Sequence, residues 1–180
     1  MPRYVALLRG INVGGKNLVP MDALKWAFEQ EGFEDVRTYI QSGNVIFAAP
    51  SARQAELAER IERMLRTAFD HYAASVVLRS RAQMRSIVEK APMGFGSQPT
   101  TYRYDVCFLK PGTMAKRVVA DLPVKEGVDR IWAGSGAVYF SRLTSRATQS
   151  RLNRVASLPV YQQMTIRNWN TTTKLAELLA

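Results

Sequence analysis

Twice along the chain the hydrophobic period runs through the same order of elements: an apolar strand, a helix, two strands about a turn, a second helix and a closing strand. Residues 4–8 form an apolar run that stops before Gly10, and Pro20 opens a stretch in which Met21, Leu24, Ala27 and Phe28 recur at helical spacing before Gly32. Residues 36–40 and 45–47 read as strands about Gln41-Ser-Gly-Asn44, whose Gly-Asn pair suits the positive φ of a tight hairpin. From Ser51 the period becomes 3.6, with Leu57, Ile61, Met64, Leu65, Ala68, Phe69 and Tyr72 on one face. On the other face Glu56 with Arg60, Glu59 with Arg63 and Glu62 with Arg66 are placed for i,i+4 ion pairs. Residues 75–78 return to strand, Ser80 caps a further helix through Lys90, and residues 92–99, rich in Pro and Gly, read as a linker.

The order then repeats, with strand 102–109, a short helix near 113–120, strands 128–132 and 137–141 about Gly134-Ser-Gly136, a helix near 146–156, strand 164–167 and a last helix from Thr171. Residue identities do not repeat, so the inference rests on element order alone. It predicts an α+β fold of two tandem ferredoxin-like βαββαβ halves with antiparallel sheets, residues 1–80 and 101–180, separated by a helix and linker at 81–100.

Charge divides these halves. Residues 1–80 hold 10 basic and 9 acidic side chains, and residues 81–180 hold 15 and 6, so nearly all of the net charge of +10 lies in the second half. Arg130, Arg142, Arg146, Arg151, Arg154, Arg167 and Lys174 follow one another without an acid before Glu177. Such a surface concentrates anions and favours phosphate-bearing partners, and it also serves solubility. No apolar run approaches the roughly 20 residues that cross a bilayer. Only five apolar residues separate Arg3 from Arg9, too few for a secretory signal, so a cytoplasmic location is expected. One cysteine, Cys107, and one histidine, His71, give no ligand set for zinc, and no cofactor is implied. Cys107 lies in an apolar strand pattern and reads as core.

Gly10-Ile-Asn-Val-Gly-Gly-Lys-Asn17 has the spacing of a phosphate-binding P-loop after a strand. It departs from one where the chemistry is exacting. Asn17 replaces the hydroxyl that would hold Mg²⁺, Pro20 delays the helix, and a hairpin follows in place of a parallel crossover. A nucleoside triphosphatase is therefore rejected. Two readings of the loop stay open: an anion nest with Lys16 at its mouth, or a tight crossover whose backbone Asn12 and Asn17 satisfy. The anion-binding candidates are Arg9, Asn12, Gly14, Gly15, Lys16, Asn17, Ser42 and Asn44. Arg142, Arg146, Arg151, Arg154, Arg167 and Trp169 are candidates for a basic, base-stacking face.

Residues 8–17 (LRGINVGGKN), 38–45 (TYIQSGNV) and 165–171 (TIRNWNT) resemble the hallmark segments of the family catalogued as domain of unknown function 1697. The resemblance implies a bacterial-type cytoplasmic protein with a doubled ferredoxin-like fold, and it brings no activity or catalytic residues. Three functions are compatible with the residues: a binding module for a nucleotide or nucleic acid, an enzyme acting on a small anion at the same loops, and an assembly protein. The enzyme lacks a base, since no His or paired carboxylate accompanies the loops. The aromatic-rich strands of RNA-recognition modules are not evident in the sequence.

Overall fold

A computed structural model describes all 180 residues, Met1–Ala180. The chain is α+β, and its contacts divide it into two units, Met1–Met84 with Leu175–Ala180, and Arg85–Lys174. In the first unit β1 (Arg3–Leu8), α1 (Met21–Gln30), β2 (Glu34–Tyr39), β3 (Asn44–Ala48), α2 (Gln54–Ala68) and β4 (Val76–Ser80) follow one another. The sheet order is β2-β3-β1-β4, with every pairing antiparallel. Alternate residues of β1, β3 and β4 (Tyr4, Ala6, Leu8; Val45, Phe47; Val76, Leu78) share one core with Leu24 and Phe28 of α1 and Leu57, Ile61 and Leu65 of α2. Phe47 sits at its centre, 5.5 Å from the ring of Phe28 and 4.8 Å from that of Phe33. Burying each such ring contributes about 2 to 3 kcal/mol, and this sets the register of both helices on the sheet.

Two local expectations are corrected here. The hairpin between β2 and β3 is a four-residue loop, residues 40–43, with positive φ at Ile40 (49°) and Gly43 (82°). Asn44 is instead the first residue of β3, opposite Tyr39. The charges of α2 also pair differently: Arg60 Nε reaches Glu31 at 2.7 Å, Glu56 meets Arg53, and Glu62 accepts the N–H of Val76 at 2.9 Å. The Glu31 and Val76 contacts tie α2 to the end of α1 and the start of β4, while Arg53 pairs with Glu56 at the helix's own first turn.

The helix α3 (Arg81–Glu89) starts with a capping box, in which Gln83 N–H donates to Ser80 Oγ (3.3 Å) and Ser80 N–H donates to Gln83 Oε1 (2.9 Å). The second unit then runs β5 (Tyr102–Leu109), α4 (Ala115–Asp121), β6 (Asp129–Ala133), β7 (Ala137–Leu143), a run of 3-10 turns and β8 (Met164–Asn168), after which α5 (Trp169–Leu179) begins. Its sheet order is β6-β7-β5-β8, again wholly antiparallel.

The helix expected near 146–156 is three 3-10 segments, Thr144–Gln149, Arg151–Ser157 and Pro159–Gln163. Ser, Thr and Asn recur through this stretch and their side chains compete for the backbone. Ser150 Oγ accepts from Leu152 N–H, Asn153 donates to the Ala147 carbonyl and Ser157 to the Arg154 carbonyl. Leu152 and Val155 still reach the core beside Cys107, Val138 and Phe140.

The linker reading of residues 92–99 also changes. Phe95 meets Tyr104, Trp132, Tyr139 and Trp169 edge-on, at centroid distances between 4.9 and 5.9 Å. Register puts Tyr102, Tyr104, Trp132 and Tyr139 on one face of the sheet, so its strands carry more aromatic surface than their spacing in sequence suggested. Gly96 lies so close to Trp169 that a Cβ there would stand 2.2 Å from the indole Nε1.

Gly43 is the most sensitive backbone position of the first unit. A Cβ there would stand 2.7 Å from Ile11 Cδ1 and 2.9 Å from Leu8 Cβ, on a residue whose φ is already left-handed. Gly43→Val is expected to destabilise the fold by roughly 2 to 4 kcal/mol. Urea unfolding followed by circular dichroism measures it, and an unmoved midpoint would show that the loop relaxes at no cost.

Candidate functional site

A groove lined by several cations and no acid lies in the second unit, and a single carboxylate shapes it. Asp129, the first residue of β6, is buried, and its Oδ2 accepts both the Lys125 N–H and the Arg151 N–H at 2.9 Å. One acid thereby joins the loop before β6 to the start of the second 3-10 segment, and Lys125 and Arg151 both line an open groove of about 710 Å³. Residues 148–151, 153 and 154 complete its lining with Pro123, and no acid is among them. Thr148, Gln149 and Asn153 add polar groups of neutral charge beside Arg154. The guanidinium of Arg146 donates to Gln149 Oε1 at 2.8 and 3.2 Å, which leaves its charge uncompensated.

Arg142 stands behind this groove. Its Nη1 donates to Asn153 Oδ1 (2.7 Å) and its Nη2 to Asp105 Oδ2 (2.8 Å), a pair whose side chains are only 17% and 16% exposed. Arg142 and Asp129 are directly opposed across β6 and β7, and each keeps one buried polar atom, Nε and Oδ1, without a protein hydrogen bond.

Of the basic-face candidates, Arg146, Arg151 and Arg154 therefore come together, while Arg142 serves as a brace between Asp105 and Asn153. Arg167 departs from the face altogether. It is buried, and its Nη1 donates to Thr165 Oγ1 (3.0 Å) and to the Ile166 carbonyl (2.9 Å). Alternation along β8 turns it to the face opposite Met164 and Ile166. Trp169 lines a separate small cleft with Tyr102, Arg103 and Tyr104.

The glycine loop of the first unit is a miniature hairpin. Gly14 and Gly15, with φ of 58° and 73°, are the central residues of a two-residue turn, and Val13 bridges Lys16. The Lys16 N–H donates to the Val13 carbonyl (3.0 Å) and the Asn12 N–H to the Asn17 carbonyl (3.1 Å). The side chain of Asn12 accepts from Val19 N–H (2.8 Å) and donates to the carbonyls of Val19 (3.0 Å) and Gln41 (2.9 Å). Asn17 donates to the Gly10 carbonyl, and Asn44, fully buried, to the Tyr39 carbonyl and Ser42 Oγ. The carbonyl of Arg9 accepts from Tyr72 Oη at 2.6 Å, and His71 Nε2 donates to the Leu18 carbonyl at 2.9 Å. The side chains of Asn12, Asn17 and Asn44 are thus each bonded to the backbone of these loops. Lys16 stands exposed at the turn.

Cys107 is fully buried, its Sγ 3.3 Å from the sulfur of Met164. Burial pushes its thiol well above the usual range and the charge of Asp105 adds to this, the reverse of what a nucleophile needs. Arg79, buried at the end of β4, has a guanidinium lowered by burial to about 10, so it remains charged at neutral pH.

A family model described as protein of unknown function (DUF1697) matches residues 1–139. The chain belongs to this family. Two of the three segments that carried the resemblance fall inside the match, and the third, residues 165–171, lies beyond it. Among solved structures the chain is similar to a conserved bacterial protein, SP0830, from Streptococcus pneumoniae, at 28% identity and a TM-score of 0.85 over 99% of each chain. No curated protein matches the chain. No helix is long and apolar enough to cross a membrane.

Sequence reasoning missed Lys125 and Asp129. The available signal was that Asp129 is the last acid before an acid-free stretch ending at Glu177, where one carboxylate faces many cations. Asp129→Ala removes two charge-assisted bonds to backbone N–H groups, each worth roughly 1.5 to 3 kcal/mol, and is expected to cost about 2 to 4 kcal/mol after relaxation. Denaturant midpoints of Asp129→Ala and Asp129→Asn test this, with the amide, which keeps one acceptor, falling between alanine and wild type. Wild-type stability in Asp129→Ala would contradict the clamp.

Proposed function

We propose that this DUF1697 protein is a binding module for a phosphate-bearing ligand, a nucleotide or nucleic acid, and that the ligand's phosphates lie in the groove of the second unit. We further read each unit as a ferredoxin-like βαββαβ module, for which the shared strand order of the two sheets is the support. One observation carries the functional reading. Lys125, Arg151 and Arg154 line a single groove that contains no acid, with Arg146 beside it, and its remaining walls offer hydroxyl and amide groups. Unpaired cations held close together repel one another, and a polyanion that enters releases counterions and relieves that repulsion. Arginine's planar fork also suits phosphate oxygens.

The glycine loop has less to offer such a ligand. The N–H groups of Asn12 and Lys16 and the amides of Asn12, Asn17 and Asn44 are spent within the loops, and Lys16 is the one exposed cation of the turn. Nothing in either region supplies a paired base and nucleophile, and the groove's chemistry is recognition.

Fluorescence anisotropy of a labelled ten-nucleotide strand at several ionic strengths tests the reading. The log–log slope should be about −0.7 for each phosphate neutralised. Replacing Arg146, Arg151 and Arg154 together by Gln should make it shallower by about 2. Lys16→Met should leave affinity within twofold of wild type. No binding at 50 mM salt, or a loss caused by Lys16→Met and not by the triple replacement, would overturn the assignment of the groove.

A further inference from the structure

Resting on that reading, we infer that the phosphate-bearing ligand is a single-stranded nucleic acid, and that the cleft beside Trp169 takes one of its bases. The cleft lies where β5 overhangs β8. The pairing of β5 with β8 stops at Asp105 and Asn168, while β5 continues back through Tyr104, Arg103 and Tyr102 with only β7 beside it. The space of about 200 Å³ left next to the overhang is walled by Tyr102, Tyr104 and Trp169. Drug-sized ligands occupy roughly 300 to 1,000 Å³, so this cleft suits one ring system and not a whole ligand.

Its walls are held rigidly. Phe95 packs edge-on against both Tyr104 (4.9 Å) and Trp169 (5.1 Å, ring planes at 90°), and Tyr104 Oη accepts the Gln98 N–H at 3.3 Å. A preset aromatic wall loses little entropy when a base stacks on it. Polar groups around the wall suit the edge of a base. Asn168 spends its carbonyl oxygen on the Thr171 N–H (2.8 Å), which leaves its NH₂ to donate. Asn170 lines the same cleft, Asp105 offers carboxylate oxygen, and the exposed Arg103 adds a cation without an acid partner.

Arg142 joins this cleft to the groove. The same guanidinium holds Asp105 at the rim of the cleft and Asn153 of the groove, so the two sites approach each other where β5 loses β8, with Asp105 and Arg142 on one face of the sheet and Tyr102 and Tyr104 on the other. A row of cations and an aromatic cleft that approach at one strand edge match a strand whose backbone follows the charge while one base turns round that edge to stack. A duplex keeps its bases stacked inside, where the cleft cannot receive them, so the fit is to a single strand.

The experiment compares a labelled ten-nucleotide thymidine strand with an abasic strand carrying the same number of phosphates, both at 50 mM salt, on the full chain. Wild type should bind the thymidine strand about tenfold more tightly, as one stacked base provides. Tyr102→Leu and Trp169→Leu should bring that ratio close to one and leave the abasic strand's affinity unchanged, while the Arg146, Arg151 and Arg154 triple replacement weakens both strands alike. If Trp169→Leu unfolds because Phe95 loses its partner, the half-exposed Tyr102 position decides alone. Equal affinity of wild type for the two strands, or an unchanged preference in Tyr102→Leu, overturns the base site and leaves the groove reading standing. Failure of both strands to bind removes the two together.

Discussion

Asp129 is the constraint on which the charged half of this molecule depends. From the residue after it to the one before Glu177 the chain contains cations and no acid, and such a stretch tends to spread apart unless something fixes its backbone. The carboxylate does so through backbone N–H groups, those of Lys125 and Arg151, and therefore anchors the two segments without neutralising their side chains at close range. The result is a surface whose charges stay exposed while their backbone positions are set. Arg142, one strand away, adds a side-chain brace, holding Asp105 and Asn153 with one guanidinium. Backbone anchoring of this kind separates what the groove needs to fold from what it offers to a ligand.

The two units use similar element order for different ends. In the first, the loops at 9–18 and 40–44 are held to each other: Asn12 staples one loop to the other through the Gln41 carbonyl, and Gly43 lets Ile11 and Leu8 approach closely, while Lys16 stays exposed at its turn. In the second, the place of a regular second helix is taken by 3-10 turns whose Ser, Thr and Asn side chains hold their own backbone and whose arginines face outward. The family match ends at residue 139, before those turns, and so it covers the stapled loops and only Lys125 and Pro123 of the groove lining.

Much of the element order was legible because apolar period is a local property: β1, α2, β5 and β7 all lie within a few residues of where their spacing put them. Three features were not legible, each for a physical reason. Residues 144–163 carry enough apolar residues at helical spacing to suggest a helix, but the side-chain oxygens that break it into turns act through geometry that composition does not reveal. Residues 92–99 have the Pro and Gly content of a linker, and only the fold shows Phe95 seated among four aromatic rings. The groove joins Lys125 to residues 148–154 across β6 and β7, so charge counting pointed to the right half of the chain and could not select the arginines. It grouped Arg167 with them, although strand alternation buries that residue.

The most direct test of the account is a backbone-amide NMR titration of the full chain with a ten-nucleotide single strand at low salt. Shift changes should concentrate at Lys125 and across residues 148–154, with smaller ones at 102–105 and 168–170, and residues 10–17 should stay unperturbed. Perturbation centred on residues 10–17, with the groove silent, would contradict the account and return the ligand to the glycine hairpin.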